Sequence, residues 1–152
     1  MSNPPRARAV GTMELVIGND TAQIARVSEA MDRLAVEHGI APTPLVQLQV
    51  ALDEMVSNVI KYAWPQGGSH TLQVRIEVAL GQVRIDISDD GRPFDPRDAP
   101  APQTPLPGKR PRPGGLGVHM VRQFIDRLEY ARIDNMNRLT MIKRCDTDNT
   151  EP

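Results

Sequence analysis

The hydrophobic positions of this chain follow two periods. Ile24, Val27, Met31 and Leu34 recur at steps of three and four and predict a helix over residues 20–38. Asp20 is placed to cap it, with Gln23 three positions on, and Gly39 ends it. Leu45, Leu48, Leu52, Met55, Val59 and Ala63 mark a second, more apolar helix over residues 43–64. Thr43 is its expected cap, Pro44 its first residue and Pro65-Gln66-Gly67-Gly68 its stop. The period then drops to two. Leu72, Val74, Ile76, Val78 and Leu80 alternate with mostly polar residues, Gly81-Gln82 turns the chain, and Val83, Ile85 and Ile87 alternate on the way back. A short strand over residues 11–17, a third helix over 115–127, and a closing hairpin complete the pattern. The hairpin strands cover 128–133 and 138–144, around Asp134-Asn135-Met136-Asn137.

Composition changes the picture in one place. Residues 92–113 hold eight of the 14 prolines, and proline lacks an N–H donor and fixes φ, so this stretch is neither helix nor central strand. A structureless insert of that length inside a domain points to a disordered or functional segment such as a lid. Residues 1–10 and 146–152 are expected to be a flexible arm and tail around a domain of 11–145. The 152 residues are 39% hydrophobic and 24% charged, which suits one globular domain with a real core. A net charge of −1 supplies no basic field for nucleic acid. No apolar run is long enough for a bilayer, the N-terminus lacks the apolar stretch of a secretory signal, and the single Cys145 cannot form an internal disulfide. The expectation is a cytoplasmic protein that binds neither nucleic acid nor membrane.

Candidate chemistry sits in three segments. Glu54, Asn58 and Lys61 share one face of the second helix, away from its apolar stripe. Such a row is common as a solvated polar face. It also suits a magnesium and phosphate edge: a hard cation takes oxygen ligands, an Asn carbonyl can be one, and a carboxylate one turn away can deprotonate a hydroxyl. Asp89 continues the inward alternation of Val83, Ile85 and Ile87, and a buried carboxylate needs a partner, for which a purine amino group is suitable. Gly91 permits close backbone approach or a positive φ beside a base, although a plain Asp-Gly turn would use the same residues. Gly114-Gly115-Leu116-Gly117 opens the third helix, where free N–H groups at the positive end of the dipole can meet phosphate. No GK[ST] follows, so it is not a Walker loop, and a simple hinge is the alternative.

Taken in order, a helix with Glu-x-x-x-Asn, a hairpin ending in Asp-x-Gly, a proline-rich lid and Gly-x-Gly opening a helix form a specific combination. It resembles the three nucleotide-binding boxes of the gyrase, heat-shock-chaperone, histidine-kinase and MutL ATPase superfamily, across roughly residues 11–144. The stretch from Glu54 to Ala63 and the run Asp89-Asp90-Gly91-Arg92-Pro93-Phe94-Asp95-Pro96 are similar to the anti-sigma-factor serine kinases in particular, as is Asn137-Arg138-Leu139-Thr140 in the closing hairpin.

The resemblance implies an α+β fold of the Bergerat type, a two-layer α/β sandwich whose mixed, mostly antiparallel sheet is covered on one face by three helices. It implies ATP and Mg²⁺ as cofactors. Asn58 would ligate the metal, and Glu54 would be the catalytic base toward a Ser or Thr hydroxyl. Asp89 would accept the adenine amino group, with Gly91 allowing the base to approach and Thr140 supporting through water. Gly115, Leu116 and Gly117 would present N–H groups to the phosphates. Lys61 is a further candidate phosphate contact. Lys109, Arg110 and Arg112 on the lid could close over the γ-phosphate or could be solubilising charge. The implied partners are a small STAS-like anti-sigma-factor antagonist, a sigma factor and a second copy of the chain. An ATP-gated binding module with little kinase activity, or a detached histidine-kinase catalytic domain, would share the same nucleotide residues. His38, His70 and His119 are isolated, and none is set in a phosphoacceptor helix pair.

Overall fold

The structure, a computed structural model, describes residues 8–98 and 115–145. In chain order it contains β1 (Ala9–Gly18), α1 (Ile24–His38), α2 (Pro42–Tyr62), β2 (Thr71–Ala79), β3 (Gln82–Asp89), α3 (Gly115–Phe124), β4 (Arg127–Ile133) and β5 (Met136–Arg144). The strands form one five-stranded sheet in the order β1-β2-β3-β5-β4. All its pairings are antiparallel, in keeping with the mostly antiparallel sheet expected and without its parallel part. The three helices lie on one face of the sheet, which makes the domain a two-layer α+β sandwich.

The two hydrophobic periods account for the core. The inward residues of the strands, among them Ile17, Leu72, Val74, Ile76, Val83, Ile85, Ile87, Leu139 and Met141, are buried. They meet Val27, Met31 and Leu34 of α1, Leu48, Leu52, Met55 and Val59 of α2, and Val118 and Val121 of α3. Burying an aliphatic side chain stabilises by about 1.5–3 kcal/mol, so this interdigitated layer is what fixes the helices on the sheet.

Several boundaries differ from the pattern-based expectation, each for a local reason. The arm ends sooner, because Ala9 already pairs with Ala79 in β1. Asp20 caps a 3-10 turn, Thr21–Gln23, by accepting the Ala22 N–H, and Gln23 instead accepts from Arg26, so there is no capping box. Helix α2 starts at Pro42 with Ala41 as its extended N-cap, so Thr43 lies inside the first turn. The residue before a proline is driven to extended backbone, and Ala41 is that residue. Leu80 is 85% exposed because it joins Gly81 in the turn, with Ala79 and Gln82 paired on either side. Helix α3 stops at Phe124, whose carbonyl accepts from the Lys143 ammonium at 2.7 Å. Residues 92–98, read from sequence as structureless, are built into the domain: Pro96–Asp98 form a 3-10 turn, and Arg122 Nη2 donates to the Arg97 carbonyl at 2.9 Å.

Candidate functional site

Helix α2 is the rail along which the candidate residues are arranged. Asn58 is 1% exposed, and neither its Oδ1 nor its Nδ2 has a hydrogen-bond partner among the described residues. A buried amide left in this state costs about 1–3 kcal/mol, and native proteins tolerate few such groups. Helical spacing places Asn58 off the apolar stripe yet still under cover. Glu54, one turn earlier, is half-buried. Burial raises its pKa above the ordinary carboxylate range, Asp53 adds to the rise, and Lys61 opposes it. Lys61 itself is exposed near the end of the helix. Among the described residues no group of three His, Cys, Asp or Glu side chains could hold a metal ion. The donor set fits magnesium as a single amide oxygen completed by phosphate and water, with the orphaned Asn58 as that oxygen.

The end of β3 meets the end of α2. A Cβ on Gly91 would lie 2.5 Å from the Ala63 carbonyl oxygen, so only glycine allows this approach. The close approach, and not a positive φ, is what Gly91 supplies: it is absent from the positive-φ residues of the chain. The next residue closes the helix. The Arg92 N–H donates to the Ala63 carbonyl at 2.8 Å and its Nε to the Tyr62 carbonyl at 2.8 Å, which satisfies two C-terminal carbonyls of the helix end. Gly91→Ala is expected to destabilise the protein by about 1–3 kcal/mol through this overpacking. Urea denaturation checks it, and an unchanged midpoint would show that the loop yields freely.

Asp89 is the last residue of β3 and is 4% exposed. Burial raises its pKa, while hydrogen bonds from Asn137 and from the Gly91 N–H, both at 2.9 Å to Oδ1, pull it down. Asp90 raises it further and Arg132 lowers it. Asn137 stands directly opposite Asp89 in the β3–β5 ladder. The sequence pattern placed Asn137 in a four-residue loop. The turn uses only Asp134 and Asn135, at φ 51° and 63°, the left-handed pair of a tight hairpin. Counting back by twos from Met141 and Leu139 would have put Asn137 on the inner face.

The N-terminus of α3 meets the other part of α2. A Cβ on Gly117 would fall on the Glu54 carboxylate, so Gly117 is where the first turn of α3 seats that side chain. Helix α3 begins at Gly115, which places Gly115, Leu116 and Gly117 in its first turn, where backbone N–H groups have no intrahelical partner. Lys109, Arg110 and Arg112 lie outside the described residues.

Thr140 does not join this group. In β5 it alternates with Leu139 and Met141, so the pleat turns it to the outer face of the sheet, opposite Asp89. There its hydroxyl donates to Asp86 Oδ1 at 2.6 Å, and Asp86 also pairs with Arg84 Nε at 3.0 Å. A cavity of about 390 Å³ on that face is lined by Glu14, Arg75, Asp86, Ser88 and Arg138, and the sheet separates it from the α2 edge. The residue beside Asp89 is Asn137, and the expected support from Thr140 is corrected accordingly.

A sheet covered on one face by helices, with an orphaned amide and a carboxylate on the central helix, an Asp-x-Gly at its end and a glycine-opened helix beside it, defines a class of nucleotide-binding domain. Residues 17–143 match the histidine kinase-like ATPase domain family, and the chain belongs to that family. It is 29% identical over 94 residues to the serine/threonine-protein kinase BtrW of Bordetella bronchiseptica, covering 62% of this chain and 66% of that protein, a little under two thirds of its length. It is 30% identical over 108 residues to an anti-sigma F factor of Clostridium botulinum, covering 66% of this chain and 74% of that protein. Among solved structures, the RsbU and RsbW domains of a Mycobacterium tuberculosis protein superpose with a TM-score of 0.64 at 14% identity, covering 89% of this chain and 32% of that one, a likeness of fold.

Proposed function

We propose that this chain is an ATP-dependent serine/threonine protein kinase of the anti-sigma-factor type, acting in the cytoplasm. In this role it phosphorylates a small STAS-like antagonist, holds a sigma factor and works as a homodimer. The observation that carries the catalytic part is the buried Asn58 amide, without a hydrogen-bond partner among the described residues, one helical turn from a carboxylate of raised pKa. The names of the relatives, a serine/threonine-protein kinase and an anti-sigma F factor, support the kinase activity and a sigma-factor partner; the antagonist and the homodimer rest on the family resemblance.

The site residues divide the work along α2. Gly91 meets Ala63 and Gly117 meets Glu54, nine residues apart, which is about 14 Å along a helix at about 1.5 Å per residue. An adenine nucleotide laid lengthwise would put its base at Asp89 and its phosphates toward the first turn of α3, and Asn58 would offer its amide oxygen to magnesium. Bound magnesium neutralises phosphate charge in the transition state. Glu54 accepts the proton of the substrate hydroxyl, whose oxygen bonds to the γ-phosphorus as the bond to the β-phosphate oxygen breaks and ADP leaves. Lys61 is a further candidate phosphate contact, and its charge acts on the Glu54 carboxylate from the same helix.

Glu54→Gln is expected to keep ATP binding and to lower transfer by about 10²–10⁴-fold, the usual contribution of a positioned base. Transfer of radiolabelled phosphate to the antagonist, beside calorimetric ATP binding, checks this; a fully active variant removes Glu54 from the role. Because the Glu54 pKa is raised, the wild-type rate should climb with pH through a midpoint above the ordinary carboxylate range. The same shift makes its stability contribution favourable at low pH and lost as pH rises through the folded-state pKa. Glu54→Gln therefore should not lower stability at neutral pH.

A further inference from the structure

Asn137 is a buried polar residue for which nucleotide binding, as described above, has no use. It is 3% exposed. Its Nδ2 donates to Asp89 Oδ1 at 2.9 Å and to the Arg92 carbonyl at 2.7 Å. Its Oδ1 accepts from the Tyr130 hydroxyl and from Arg132 Nη1, the latter at 3.1 Å. A primary amide has two N–H donors and an oxygen with two lone pairs, and all four capacities are used. Two donors converge on Oδ1, so the amide is held one way round, with its NH₂ toward Asp89. The Gly91 N–H reaches the same Asp89 oxygen at 2.9 Å. Both bonds thus fall on Asp89 Oδ1, and neither uses Oδ2.

We infer that Asn137, keyed by Tyr130 and Arg132, is a positioning residue that sets base selectivity: it holds the Asp89 carboxylate so that Oδ2 meets the exocyclic amino group of a 6-aminopurine. The inference rests on the assignment of Asp89 to the base. An ionised carboxylate only accepts hydrogen bonds, so a held one repels a 6-oxopurine, which presents an acceptor at that position. A carboxylate free to rotate turns away from the mismatch or meets it through water, and discrimination falls. Arg132 ties the device to the backbone, because its Nη1 also donates to the Gly91 carbonyl at 2.8 Å.

The test is calorimetric binding of Mg-ATP and Mg-ITP to the full chain, with Asn137→Ala, Tyr130→Phe and Asp89→Asn beside the wild type. Loss of one hydrogen bond to a charged group corresponds to at least about tenfold in affinity. Asn137→Ala is expected to weaken ATP by about that factor with ITP little changed, so that the ATP:ITP preference drops about tenfold. The acid-side loss of ATP binding should also move to higher pH, because a hydrogen bond that favours the charged form of Asp89 has gone. Tyr130→Phe, which removes one hydroxyl and loosens the amide, should move the preference the same way by a smaller factor, and it serves if Asn137→Ala does not fold. A packing role alone would weaken both nucleotides equally; an unchanged preference in the folded variant overturns the inference. Asp89→Asn separates the layers. If it keeps the wild-type preference, the base is read elsewhere, and the Asp89 assignment and the inference fall together. If it loses the preference while Asn137→Ala keeps it, only the inference falls.

Discussion

Asn58→Ala is expected to abolish Mg²⁺-dependent ATP binding without unfolding the protein. The side chain is 1% exposed and neither end of its amide is hydrogen-bonded among the described residues, so the fold gains nothing from its polarity. An unpartnered buried polar group costs about 1–3 kcal/mol, whereas replacing it by an apolar group of like shape is close to neutral or stabilising. Asn58→Leu, nearly isosteric, should therefore match or exceed the wild-type melting temperature, while Asn58→Ala trades that gain against a small cavity. Both variants should lose the nucleotide. The thermal shift on adding Mg-ATP reports this directly, because a ligand that binds only the native state raises its stability. A residue that served packing alone would show the reverse pattern, a lowered melting temperature with the nucleotide shift intact. Tight ATP binding with unchanged magnesium dependence in either variant would refute the assignment.

Gly117→Ala is expected to lower phosphate transfer by about 10²-fold or more, the scale on which a misplacement of about 1 Å acts. The added methyl would fall on the Glu54 carboxylate, so either that side chain leaves its place or α3 lifts away from α2. Both outcomes disturb the base and the first-turn N–H groups together. Removing the obstacle tests the contact itself. In Gly117→Ala/Glu54→Ala the methyl has room, and the melting temperature should recover toward that of Glu54→Ala, giving the non-additivity expected of residues in contact. ATP binding should recover with it, while transfer stays low for want of the base. If the single and double variants are destabilised equally, the two residues do not touch and the convergence of α3 on the α2 edge is wrong.

Much of this protein is determined by local chemistry and is legible along the chain. Period-3.6 and period-2 stripes place α1, α2, β2 and β3 to within a few residues, because core burial demands those periods whatever the topology. The order Glu54, Asn58, Asp89, Gly91, Gly115, Gly117 is also a property of the chain, and with it the family. What tertiary structure alone decided is which residues became neighbours. That Asn58 is buried without a partner among the described residues depends on the elements packed around α2, and no helical wheel shows it. A Cβ at Gly91 would meet the Ala63 backbone and one at Gly117 the Glu54 carboxylate, neither of which follows from turn chemistry. The Asp89–Asn137 pair needs β5 to lie beside β3, although α3 and β4 come between them in the chain. Thr140 shows the converse: its type suited the site, but pleat parity turned its hydroxyl to Asp86 on the far face. Periodicity constrains each segment against the core as a whole, whereas a site is built from contacts between segments, and those are set only when the layers close.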